Sequence, residues 1–190
     1  MSASKNSILH KSRELFERFG YQKTTLTDIA KSVGKVKTAI YYYFSGKEEI
    51  FAELVEVEAE EFLNNLIQEV EKEKNPQKKL ISYVNTRVDL MEKIAKRYSF
   101  LKSEFFELMP IVEANRLKAD EREVQFVSSI LSSKEIQDEF NISKPEFTAK
   151  LLMQNLKGLE VQMYVTDQAA AHQENREAFV DFIIYGALKK

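Results

Sequence analysis

Apolar residues recur along this chain at intervals of three and four, and no strand-like alternation lasts more than about four residues. That spacing predicts eight or nine helices and no sheet, an all-α protein. Ile8, Leu15, Phe16 and Phe19 form the first stripe, on a helix from about Lys5 to Phe19, with Lys11 and Arg13 towards solvent. Gly20 ends it, and Tyr21 is expected to pack over the turn. Leu26, Ile29, Ala30 and Val33 make a second, shorter stripe behind Thr25, an N-cap residue with Asp28 three places on. Gly34 follows where a helix C-terminus favours positive φ. A further run begins near Val36, with Ile40 and Phe44 four apart. Two short helices separated by a glycine turn, the second polar at its start, make a helix-turn-helix pattern. In that arrangement the second helix enters the DNA major groove.

Downstream, Ser45 and Glu48 have capping-box spacing and open a long helix from about Gly46 to Lys74. Its acidic run (Glu53, Glu56, Glu58, Glu60 and Glu61) reads as a solvated face. Pro76 opens the next helix, striped by Leu80, Val84, Val88, Met91 and Ala95. A short aromatic segment, Tyr98 to Met109, should close at Pro110, and a separate helix should run from Ile111 to about Leu131. Asp120 and its charged neighbours fall on that helix's solvent side, and Ser132 with Glu135 could cap one short helix through Phe140. Ser143-Lys-Pro-Glu146 starts a helix reaching about Val165, and a last one spans roughly Asn175 to Leu188. Both are apolar on more than one side, so a second subunit should cover them, with Leu156 and Phe182 in the seam.

Composition changes this picture little. The 190 residues can bury a proper core, and with 13 Phe, 8 Tyr, 5 Gly and 3 Pro they read as packed rather than disordered. Cysteine is absent, which removes disulfide and thiol chemistry and fits a cytoplasmic location. No apolar run has the length of a membrane span, and MSASKNS lacks a signal-peptide core, so no membrane association is expected. Charge matters more. The net −2 hides nine Lys+Arg against five Asp+Glu in the first fifty residues, +4, with −6 on the remainder. A basic head on an acidic body suits a nucleic-acid reader.

The ordered string carried by Leu15–Phe16, FGYQKTT at Phe19–Thr25, Ile29–Ala30, Gly34, IYYYF at Ile40–Phe44 and SGKEEIF at Ser45–Phe51 is more specific. Over Ile8 to Leu54, about a quarter of the chain, it resembles the N-terminal domain of the tetracycline-repressor (TetR) family of transcriptional regulators. The resemblance implies a three-helix DNA-binding domain at 1–46 and a helical effector-binding and dimerisation domain at 47–190. It implies base contacts from Lys37, Thr38 and Ala39, with Thr27 turned towards the same groove. Thr25, Tyr41, Tyr42 and Lys47 fall where the family grips the sugar-phosphate backbone. Tyr43 and Phe44 are assigned to the core, and Lys5, Lys11 and Arg13 either to solvent or to flanking phosphates. The chain departs from the family's pattern after Gly34. The usual apolar-then-serine pair is Lys35-Val36, so the reading helix loses its usual cap and Lys35 adds a charge beside the DNA. A glycine common two residues later is Thr38.

The family also implies a homodimer on a double-stranded operator, responsive to a small-molecule effector. Candidate effector-lining residues are Phe62, Leu66, Tyr83, Arg87, Phe105, Phe106, Met109, Phe126 and Tyr164, any of which could equally be plain core. Arg87 needs an acidic partner or an anionic ligand if it lies beneath an apolar face. No cofactor or metal is expected: the two histidines, His10 and His172, have no partner at ligand spacing. No phosphate loop or nucleophile elbow occurs, so enzymatic activity is not expected either. The reading is a ligand-responsive repressor. The alternative is a helical interaction protein that keeps the head without an operator.

Overall fold

The computed structural model describes residues 5–140 and 142–165, with Val180 and Phe182. Every element among these is helical: α1 (Lys5–Phe19), α2 (Leu26–Ser32), α3 (Lys37–Ile40), α4 (Lys47–Val70), α5 (Pro76–Arg97), α6 (Leu101–Leu131), α7 (Lys134–Glu139) and α8 (Pro145–Val165). The expected loop over Thr166–Gln173 with His172, and the last helix over Asn175–Leu188, lie outside the described residues, Val180 and Phe182 excepted.

The chain divides into two compact units, Met1–Ala59 with Ala95–Leu117, and Glu60–Ile94 with Lys118–Lys190. In the first, α1 packs on α2 and α2 on α3. Ile8, Phe16, Ile29, Ile40, Phe44 and Ile50 are fully or almost fully buried there, whereas Phe19, expected on the first buried stripe, is 48% exposed at the end of α1. Phe16, Tyr21 and Phe51 form an aromatic cluster with ring centroids 5.0–5.8 Å apart. Lys5 pairs with Glu53 and lies over the Phe44 ring, Lys11 with Glu14, and Arg13 with Glu58. Glu58 also accepts from Arg97 and from the Tyr98 hydroxyl at 2.5 Å, so this member of the acidic run is an anchor rather than part of a solvated face. Burial, and after it the Glu58 charge, pushes the Tyr98 phenol far up, which keeps it a donor.

In the second unit Leu63, Leu66, Val70, Leu80, Val84 and Val127 are buried. α4 stops at Val70, short of the expected Lys74, because Glu71 to Lys74 supply no apolar side chain to hold another turn. Asn75 then caps α5, its side-chain oxygen accepting from the Lys78 amide at 3.0 Å.

Three further expectations, all about where helices start and stop, need correction. The segment before Pro110 and the helix after it are one helix, α6, of 31 residues. Proline forfeits only the bond to the Phe106 carbonyl, and both residues are exposed, so water can take that bond's place while buried positions such as Leu101, Phe105, Leu108 and Ala119 keep the helix in register. At the start of α4, the carboxylate that closes on the Ser45 amide and hydroxyl, at 2.6 and 2.7 Å, is Glu49's and not Glu48's. The cap position of α7 is Ser133 rather than Ser132, with no side-chain bond to the helix.

Candidate functional site

The head presents its functional residues on short elements with firm ends. Thr25 and Asp28 complete a capping box. The Thr25 hydroxyl accepts from the Asp28 amide at 3.2 Å, and the Asp28 carboxylate accepts from the Thr25 amide at 3.0 Å and hydroxyl at 2.6 Å. The Thr25 hydroxyl, then its amide, hold the Asp28 carboxyl below the ordinary aspartate range. At the other end of α2, Gly34 takes φ 68°. Its amide donates to Lys31 O at 3.0 Å and the Lys35 amide to Ala30 O at 2.8 Å, a Schellman termination. This turn leads directly into α3.

Thr27, in the first turn of α2, and Lys37 and Thr38, at the start of α3, are exposed, while Lys35 and Ala39 are half-buried. Val36 is the N-cap residue of α3, in extended backbone with no side-chain cap bond, and it is 69% exposed. Sequence reasoning noted the missing serine here but gave the valine itself no role. The Lys37 ammonium lies 5.8 Å from the Tyr41 ring centroid, and Tyr41 and Tyr42 both face solvent. Tyr43 is half-buried and meets Tyr42 edge-on at 4.8 Å, while Phe44 is core.

Lys47 is committed to the head. Its Nζ donates to Tyr21 O at 2.7 Å and sits 4.1 Å from the Tyr21 ring centroid. Partial burial lowers its pKa, and Glu104 and Glu107 work against that shift. These two carboxylates come from α6 and grip the α1–α2 turn. Glu104 accepts from the Gln22 amide at 3.2 Å, and Glu107 from the Gln22 side-chain amide at 2.5 Å. No local pattern announces this pairing, which joins residues more than eighty positions apart.

The candidate effector residues fall into two groups. In the second unit Phe62, Leu66, Tyr83 and Arg87 are buried, and Phe126 is half-buried. Arg87 meets Glu123 at 2.7 Å, the Tyr83 hydroxyl donates to the same Glu123 oxygen at 2.6 Å, and the guanidinium lies 5.7 Å from the Phe62 ring centroid. Glu123 was missed, although it stands one helical turn before Val127 on the buried stripe of α6. Asp120 is likewise buried, not solvent-facing, and pairs with Lys157 at 2.6 Å. Phe105, Phe106 and Met109 belong to the first unit, where Phe105 is buried and Met109 half-buried. Phe106 is 86% exposed, so it lines no interior. The side chain of Tyr164 lies outside the described residues.

Residues 8–54 match the tetR family of bacterial regulatory proteins. This segment is a TetR-family N-terminal domain. The biofilm operon icaADBC negative transcriptional regulator IcaR of Staphylococcus aureus (strain Newman) is 41% identical over 63 residues, a third of each chain. The match to that relative therefore leaves two thirds of its length unaligned. The fold likeness extends much further. A transcriptional regulator from Cytophaga hutchinsonii superposes over 99% of this chain and 100% of its own, with a TM-score of 0.76 at 19% identity. The fatty acid degradation regulator FadR of Bacillus halodurans covers 95% and 94%, with a TM-score of 0.67 at 17% identity.

Proposed function

We propose that this protein is a transcriptional repressor that binds a palindromic operator as a homodimer and is released by a small, mostly apolar effector. The observation that carries the reading is the exposed edge running from α2 into α3. Lys37, Thr38 and Thr27 offer donors to base edges, and Tyr41 and Tyr42 stand free for the sugar-phosphate backbone. The negative sense is supported by IcaR, a negative transcriptional regulator 41% identical over a third of this chain. On this reading residues 1–46 are the DNA-reading part and 47–190 the effector-binding and dimerising part.

Support for a second subunit comes from α8. Phe147, Leu151 and Val161 are large, apolar and exposed, and at 100° per residue they fall within one narrow arc of the helix. An effector would be taken up near Phe62, Tyr83 and Arg87. Since Glu123 already neutralises Arg87, an anionic ligand group would have to displace that carboxylate.

The test is selection of binding sites from a random duplex pool, then fluorescence-polarisation titration of the enriched duplex at several salt concentrations. The expected outcome is an inverted repeat whose affinity falls steeply with salt. A pool that never enriches would overturn the reading.

A further inference from the structure

The turn between α1 and α2 rests on α6 through two carboxylates one helical turn apart. Glu104 accepts from the Gln22 amide and Glu107 from the Gln22 side-chain amide. The Glu104 carboxylate also stands 3.1 Å from where a Cβ on Gly20 would lie, so it is wedged against the turn. The donors from Gln22 are neutral, and neither bond cancels a charge. The charged and titratable groups around the pair are Lys47 and Glu48 from the start of α4 and Tyr21 from the turn itself. The Lys47 ammonium is directed at Tyr21 O, and Glu48 adds a third negative charge near the phenol. Burial, and with it the Glu107 charge, pushes the Glu104 carboxyl up, against the opposing pull of the Gln22 amide and of Lys47.

We propose that Glu104 and Glu107 form a proton-operated latch between α6 and the DNA-reading head, through which operator affinity rises as the solution is acidified. The proposal rests on the DNA-binding reading above and adds a means of regulation outside the effector region. A carboxyl whose pKa is higher when the turn is docked than when it is free binds its proton better in the docked state. Docking is therefore strongest below the ordinary glutamate range. It weakens as pH rises through the raised value, where two ionised carboxylates stand side by side. Three residues after Gln22 comes Thr25, the cap of α2, and then Thr27. A docked turn fixes this edge in advance and removes part of the ordering that DNA would otherwise impose on it.

The experiment uses the full-length, isotope-labelled protein and the duplex enriched from the random pool, over about pH 5 to 8. The Gln22 amide resonance should titrate with a midpoint above the ordinary glutamate value. Glu104→Gln, which carries the neutral form at every pH, should flatten that titration. Glu107→Gln removes the neighbouring charge and should move the midpoint down towards the ordinary value. Melting curves at the acid end should match wild type for both variants, which separates lost titration from lost folding. Operator affinity is then read by polarisation in wild type and Glu104→Gln. Groups outside the latch, His10 among them, titrate alike in both proteins. As pH falls, wild type should gain at least about fivefold beyond any gain in the variant, the lower end of ordinary coupling between sites. A Gln22 resonance that stays still, or titrates equally in Glu104→Gln, overturns the latch. The same pH profile of operator affinity in both proteins overturns it as a regulator and leaves DNA binding standing. Failure to enrich any duplex overturns the DNA-binding reading, and the Gln22 titration then decides the contact alone.

Discussion

Arg87 and Glu123 face each other at 2.7 Å with almost no side-chain surface exposed to water on either partner. The Tyr83 hydroxyl completes the arrangement from the same helix as Arg87. Breaking such a pair from one side leaves a buried charge without its counterion. Glu123→Ala is therefore expected to destabilise the protein by about 3–5 kcal/mol. The double variant Arg87→Leu/Glu123→Leu, which removes both charges, should recover much of that loss. Urea unfolding of both variants beside wild type checks the difference.

On α8, inward and outward apolar residues should separate cleanly. Leu156 is buried within the chain, so Leu156→Ala should cost about 2–5 kcal/mol of folding stability. Leu156→Glu would then report on the core of the protomer and not on the expected seam. Phe147→Glu and Leu151→Glu place the charge on the exposed face and should leave a folded monomer. Sedimentation velocity, with circular dichroism as the folding control, distinguishes the two classes.

In the head, Lys37→Ala should weaken operator binding by about 1–3 kcal/mol and relax preference at one base step, if the lysine spans two acceptors of a guanine. Its melting temperature should not move, because Lys37 is exposed. Lys47→Ala should behave differently. It removes a bond to Tyr21 O and the ammonium over the Tyr21 ring, so loss of thermal stability should accompany any uniform loss of DNA affinity. Melting curves and salt-dependent titrations on the same preparations separate these effects.

The capping box of α2 carries an acid-side signature. The folded pKa of Asp28 is depressed, so its contribution is complete above the ordinary aspartate range and is lost as pH falls through the lowered folded value. Asp28→Asn should therefore narrow the stability difference between neutral and strongly acidic solution. Thr25→Ala should cost about 1 kcal/mol at neutral pH by removing the cap itself. Denaturant midpoints across a pH series test both.

The head was legible because its stability is local. Periodic stripes, a threonine three residues before an aspartate and a glycine after Val33 each announce their structure within a few residues, and α1 runs over the expected span from Lys5 to Phe19. Long-range partners were not legible. Gln22 gives no hint of Glu104, and Arg87 announces only that it needs a counterion, not that α6 supplies one. Pro110 misled for a related reason. A proline is a local stop signal, and only the solvent exposure of that side of α6 explains why the helix passes through it. Of the candidate reading residues, Lys37 and Thr38 stand exposed, whereas the Lys47 ammonium donates to Tyr21 O.

Gly20 and Gly34 share a left-handed backbone, with φ of 85° and 68°, but their surroundings set very different freedom for variation. At Gly34 no atom lies within 4 Å of where a Cβ would stand, so an asparagine, which tolerates that conformation, should be accepted in a mutagenised library. At Gly20 a Cβ would stand 3.1 Å from the Glu104 carboxylate and 3.2 Å from the Phe100 Cβ. Even an asparagine there must shift the Glu104 carboxylate and the Phe100 side chain by a few tenths of an ångström, and so disturb the grip on Gln22. Deep mutational scanning should accordingly find a nearly closed position at 20 and a partly open one at 34, although the backbone asks for glycine equally at both.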